Sequence, residues 1–184
     1  MSKRILLLLA PGYEELEAVA VADMLRRAEL DVVIAGTISG PVPSAHDIKI
    51  VPDAGLDSVT GQTFDLIVLP GGIDGTENLA KDSRVINMLK EQLQAGRYIG
   101  AICAAPAILD RLGISSGKTI TCHPACQPSV KNSPLSQERV VQDGQFITSQ
   151  CAGTAVEFGL KLVEFLAGKE KMEEVNKGVL ARIG

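Results

Sequence analysis

Three apolar runs constrain this chain more than any other feature: "RILLLLA", "FDLIVLPGG" and "YIGAIC". A strand with one wet face alternates apolar and polar residues. A run without alternation is covered on both faces, as in a parallel sheet. "DVVIAG" reads as a further strand. Segments of helical spacing lie between. "EELEAVAVADMLRRAEL" sets Leu16, Val19, Ala20, Met24 and Leu25 at helical intervals, "SRVINMLKEQLQAG" is an amphipathic helix closed by Gly96, and "AAPAILDRLG" is a third helix. Strands alternating with helices predict an α/β fold: a doubly wound, flavodoxin-like, mostly parallel sheet with helices on both faces, one domain over residues 1–184.

The remaining stretches fit that frame. Residues 37–63 are rich in Gly, Pro and Ser and hold short strands such as "IKIV". Residues 114–137 are irregular, and "ERVVQDGQFITSQ" reads as a hairpin about Asp143-Gly144. A long helix from about Thr154 to Ala167 puts Phe158, Leu162, Phe165 and Leu166 on one face, with Glu157 and Lys161 one turn apart as an ion pair. A last helix runs over "KEKMEEVNKGVL".

Several function classes are disfavoured. Net charge is −4 with no basic block, only 3% of residues are aromatic and Trp is absent, which argues against nucleic acid as the main partner. No apolar run approaches the ~20 residues that span a bilayer. Ile5 to Ala10 is shorter than a signal-peptide core of ~7–15 residues, and "EELE" follows at once. A cytoplasmic protein with reduced thiols is therefore expected. Four cysteines occur, at 103, 122, 126 and 151. "CHPAC" brackets His123 with two of them, but its spacing and the lack of a second paired cluster argue against structural zinc, and no metal is expected.

Ligands of doubly wound sheets sit beyond the carboxyl ends of the strands. Three segments end there: "LLLLAPGYEELE", "IVLPGG" and "IGAICAA". They bring Glu14, Glu15, Glu17, the Gly71-Gly72 amides and Cys103 towards one place. A cysteine at a tight strand-to-helix turn projects from the sheet edge, and the amides of the following helix favour its thiolate. Free cysteines are also common in cores, and the spacing alone leaves both readings open.

Taken together, "LAPGYEELEAVAVADMLRRA", "DLIVLPGG", "GAICAAPA", "CHP" and "GTAVEFGLKLVEFLAGKEK" resemble the ThiJ/PfpI (DJ-one/PfpI) superfamily, in its parkinsonism-associated deglycase branch, over nearly the whole chain. The resemblance implies Cys103 as the nucleophile at the turn, Glu17 as its buried acid and His123 as a further acid or base. It implies Gly72 and Ala104 amides as an oxyanion hole, and Arg27 as a site arginine supplied within the chain or across a dimer. It implies a homodimer without cofactor, acting on small 2-oxoaldehydes or on glycated proteins. Glu17 would be kept neutral by burial and donate a hydrogen bond to the Cys103 thiolate. Glu14 and Glu15 are left with a helix-dipole or surface role.

Two positions depart from the family pattern. His46 stands where the branch often carries arginine, and "SQCAGTA" puts Cys151 where relatives have glycine. Cys151 is thus a candidate partner for an oxidised Cys103. The competing function is a redox-sensing chaperone whose Cys103 is oxidised and not turned over. A cysteine peptidase of this superfamily would carry histidine directly after the nucleophile, where this chain has Ala104.

Overall fold

The computed structural model describes residues 3–182. The chain runs β1 (Arg4–Leu9), α1 (Glu15–Arg27), β2 (Asp31–Gly36), β3 (Val42–Pro43), β4 (Lys49–Ile50), β5 (Ala54–Gly55), α2 (Leu56–Val59) and β6 (Leu66–Leu69). It continues through α3 (Ile73–Lys81), α4 (Ser83–Gln94), β7 (Tyr98–Ile102), α5 (Ala105–Arg111), β8 (Val140–Asp143), β9 (Phe146–Ser149), α6 (Ala155–Ala167) and α7 (Lys169–Val179). Seven strands form one sheet in the order β5-β2-β1-β6-β7-β9-β8, with only β8 antiparallel to its neighbour. The expected doubly wound sheet is present, and the apolar runs are its central strands.

Both faces of the sheet are covered, and β1 displays why its run shows no alternation. Ile5, Leu7 and Leu9 enter the core beneath α1 and α6, while Leu6 and Leu8 enter the one beneath α2, α4 and α5. The order reverses between β1 and β6, since β2 lies on one side and β6 on the other. The carboxyl ends of β1, β6 and β7 therefore open onto the crevice at this switch point.

Helix α1 buries Met24 and Leu25 as its spacing suggested but turns Leu16 and Val19 outward. Ala18, Val21, Ala22, Met24 and Leu25 are buried, whereas Leu16 and Val19 are 63% and 50% exposed. The closest approach to α6 is made by Met24 of α1, opposite a glycine of α6. A Cβ on Gly159 of α6 would come within 2.9 Å of the Met24 side chain. The expected Glu157–Lys161 pair is also replaced: Arg139 Nε bonds Glu157 at 2.7 Å, and Lys161 Nζ bonds Glu164 at 2.7 Å. Each acid meets a nearer cation. The hairpin forms as expected, with β8 and β9 flanking Gly144-Gln145.

Candidate active site

Cys103 follows β7 directly and precedes α5. Its backbone lies in the left-handed region at φ +65°, a conformation that costs a non-glycine residue ~1–3 kcal/mol. The surroundings over-determine it: Cys103 N–H donates to Ser149 O at 3.0 Å, and its carbonyl accepts from His123 N–H at 2.9 Å. The side chain is thereby turned out of the sheet into the crevice, half-buried.

Glu17 lies on the first turn of α1 and is 0% exposed. Its Oε2 accepts the Gly71 N–H at 2.7 Å, its Oε1 is buried without a hydrogen-bond partner, and the carboxyl lies close enough to the Cys103 thiol to push the thiol's pKa up. The absence of a side chain at Gly71 makes the contact possible. A Cβ there would sit 2.4 Å from Cys103 Cβ, 2.5 Å from Glu17 Oε2 and 3.0 Å from the sulfur. The amides of Gly72 and Ala104 lie near enough to the sulfur to favour its charged form. Cys103, Glu17, Gly72 and Ala104 thus meet as the sequence suggested.

Their electrostatics differ from expectation in one respect. Burial pushes Glu17 up to about 7, against the opposing pull of the Gly71 amide and the Cys103 thiol. Burial, then the Glu17 charge, pushes the Cys103 thiol up to about 12, outweighing the Gly72 and Ala104 amides. The helix amides therefore do not hold a resting thiolate. The two groups titrate as a pair: as pH rises through about 7 the Glu17 carboxyl ionises first while the thiol keeps its proton, and moving that proton to Glu17 gives thiolate with neutral acid.

Other expected residues are placed less simply. His123 packs beside Cys103 through its backbone, while its ring Nδ1 accepts Ala125 N–H at 3.2 Å and caps a 3-10 turn over Pro124–Ser129. Arg27 is not brought to the site within this chain. It closes the opposite end of α1, ten residues from Glu17 and so ~15 Å along the axis, and bonds Asp23 at 2.8 Å. Cys151 is half-buried two residues beyond Ser149, whose carbonyl binds Cys103 N–H. All four cysteines are free.

The "CHPAC" residues do not converge as ligands among the described residues. Cys122 is buried, while Cys126 lines a pocket of about 200 Å³ between α3 and α5 that also touches Ala104. Glu15, assigned a surface role from sequence, is only 9% exposed. Its Oε1 meets His46 Nδ1 at 2.8 Å. Burial disfavours its charge, but its own amide, Ser44 and His46 together hold the carboxyl below its ordinary value.

Sequence reading also missed α3. Gly72 takes φ +87° as the residue that opens this helix, and Gly75 lies within it. A Cβ on Gly75 would fall 2.6 Å from the Tyr13 backbone. That interior glycine hid the helix, and Asp74 in the first turn was the signal available.

Fold and site together define a doubly wound α/β protein with a cysteine at a strand-to-helix elbow and a buried glutamate beside it. The model of the DJ-1/PfpI family matches residues 3–165. The chain belongs to that family. Protein dj-1beta of Drosophila melanogaster is 46% identical over 183 residues, covering 98% of each chain. A Caenorhabditis elegans protein named glutathione-independent glyoxalase DJR-1.2 is 39% identical over 178 residues, covering 95% of each. The crystal structure of Drosophila DJ-1beta superposes with a TM-score of 0.97 at 44% identity, covering 100% of both chains. Oxidized Toxoplasma gondii DJ-1 gives 0.96 at 30% identity, covering 99% of this chain and 100% of the other.

Proposed function

We propose that this protein converts methylglyoxal to lactate without a cofactor, with Cys103 as nucleophile and Glu17 as the proton carrier. The observation that carries the reading is the fully buried Glu17 carboxyl beside a thiol that Gly72 and Ala104 amides also address. As sulfur adds to the aldehyde carbon, the Glu17 carboxylate takes the thiol proton. The new alkoxide forms beside the two amides, which favour its charge, and recovers that proton as the hemithioacetal. Glu17, again a carboxylate, removes the proton from the former aldehyde carbon and returns it to the neighbouring carbon. A lactate thioester results, and water hydrolyses it to lactate and free thiol. One carbon is oxidised and its neighbour reduced, so the net change adds only water.

The nematode relative's name supports small carbonyl substrates. Glycated proteins present the same carbonyl carbon as an adduct and would enter by the same addition. His123 assists the proton transfers through Nε2, the nitrogen left by the Nδ1 cap. Arg27 contributes only from a second copy of the chain, in a homodimer. The test is lactate formation from methylglyoxal in the presence of a chelator. Cys103→Ala and Glu17→Ala should each lower kcat/KM by at least ~100-fold. Full activity in either variant would refute the reading.

A redox reading has one observation behind it. Peroxide would oxidise the sulfur to a sulfenic acid, and Cys151 could attack that acid with loss of water to give a disulfide. The Cys103 N–H bond to the Ser149 carbonyl sets the Cys151 turn at the end of the strand next to the Cys103 strand. Non-reducing peptide mapping after peroxide is expected to yield a Cys103–Cys151 peptide; its absence would make Cys151 ordinary packing.

A further inference from the structure

A groove of about 200 Å³ between α3 and α5 starts at the Cys103 turn and leads away from it. Leu79 of α3 and Leu109 of α5 root both helices in the core on the sheet face opposite α1. The groove walls follow helical spacing. Ala104, Ala107, Ile108 and Arg111 fall along one side of α5, and Ile73, Thr76 and Glu77 along one side of α3. Both walls begin at the amides that address the sulfur: Ala104 carries one, and Ile73 directly follows Gly72, which carries the other. From Ala104 to Arg111 the α5 wall runs ~10 Å along the axis.

The polar side chains along the groove are already paired within the protein. Thr76 shares its hydroxyl between the Gly72 and Ile73 carbonyls, at 3.0 Å each, and Ser129 donates to Cys126 O at 2.6 Å. Arg111 and Glu77 close the outer end as a two-pronged pair at 2.7 and 2.9 Å, so each charge is met by the other. Burial keeps the Cys126 thiol neutral. Apolar surface from Ala107 and Ile108 lies between these ends, and Ile73 leaves 74% of its own surface in water at the mouth. Such a groove suits an uncharged apolar group.

We infer that this groove receives the carbon substituent of the substrate, and that the protein prefers 2-oxoaldehydes bearing an aromatic ring to methylglyoxal. The inference rests on the carbonyl reaction of Cys103 and Glu17 and names the member of that substrate class that fits. An aliphatic cavity of about 150 Å³ is enough to hold benzene. A methyl group leaves a groove of about 200 Å³ nearly empty. In the hemithioacetal the alkoxide faces the Gly72 and Ala104 amides, and the neighbouring carbon carries its substituent past Ala104 towards Ala107 and Ile108. A ring held there fixes both reacting carbons against Glu17, so that a part of the substrate that does not react orients the part that does.

The test compares phenylglyoxal with methylglyoxal, each followed by its hydroxy acid product. The kcat/KM for phenylglyoxal should be higher by at least ~10-fold, mainly through KM. Ala107→Leu fills the groove from its α5 wall and should lower the ratio of the two kcat/KM values by at least ~10-fold. Ile73→Ala changes an exposed side chain, spares the fold, and should lower the same ratio by at least ~3-fold. No preference for phenylglyoxal beside active turnover of methylglyoxal would overturn the inference and leave the carbonyl reading intact, as would an unaltered ratio in both variants. Acetophenone, which has the ring and a carbonyl but no aldehyde carbon, probes the groove without turnover. It should shift the Ile108 methyl signals saturably in NMR spectra of the full chain, and far less in Ala107→Leu. Absence of that shift would overturn the inference whatever the turnover. Saturable shifts without turnover of either aldehyde would refute the carbonyl reading and keep the groove as a ring-binding site.

Discussion

At the scale of single residues, the sulfur and carboxyl of Cys103 and Glu17 set each other's protonation. A carboxyl with no exposed surface resists ionising, and the thiol beside it resists more strongly. The sign of the stability effect follows. Unfolded, Glu17 loses its proton near 4.5; folded, it holds it to about 7. The stability contributed by the neutral acid is fully present below 4.5 and is lost as pH rises through about 7. That interval corresponds to roughly 3 kcal/mol. Glu17→Gln keeps an oxygen for the Gly71 amide and cannot ionise. It should unfold in urea with ~3 kcal/mol more stability than wild type at pH 8, the gap closing towards pH 4.5. A constant gap across that range would show that burial of the charge is not the cause. The same ionisation makes Glu17 a base, so wild-type kcat/KM should rise with pH through about 7.

At the scale of elements, helices were read best where periodicity was clean and worst where contact with a neighbour overrode it. Helix α4 keeps Val85, Met88, Leu89 and Gln92 inward and ends at Gly96 as read, because its clean apolar stripe lies on the sheet core beside α3. Helix α1 packs on both sheet and α6, so Ala18, Val21 and Ala22 join Met24 and Leu25 inside while Leu16 and Val19 face out. Helix α3 was missed because Gly75 is chosen for closeness and not for helicity. Propensity alone says that Gly75→Ala stabilises an exposed helix by ~1 kcal/mol. Here the new Cβ would meet Tyr13 N and Cα at 2.6 Å, and Gly75 N–H bonds Gly12 O at 3.1 Å. The helix must shift, and with it Gly72. Gly75→Ala is therefore expected to lower stability by ~1–3 kcal/mol and to reduce turnover. A higher melting temperature with intact turnover would show that α3 is not held by this contact.

At the scale of the whole molecule, the three apolar runs carried most of the architecture, because only burial on both faces produces them. They also carried the location of the site, since the ends of β1, β6 and β7 fall together wherever the sheet order reverses. What they could not carry was anything decided between elements: the reach of Arg27, the His46–Glu15 contact, and the direction in which burial moves the thiol. The exposed side of α1 belongs to the same class. Leu16 and Val19 lie one turn apart, and Ile48 and Val51 are exposed on the loop that His46 ties to Glu15. Apolar ground of this kind, beside a functional crevice, is what a subunit interface presents to water when alone. We expect the protein to run as two chains in light scattering, joined through this face. Leu16→Glu with Val19→Glu leaves the core untouched, since neither side chain is buried, and should weaken association by roughly 100-fold or more. The double variant should then scatter as one chain with an unchanged circular dichroism spectrum. If it remains two chains, the interface lies elsewhere; if the wild type is already a single chain, the outer face of α1 has some other use, and Arg27 has no route to any active site.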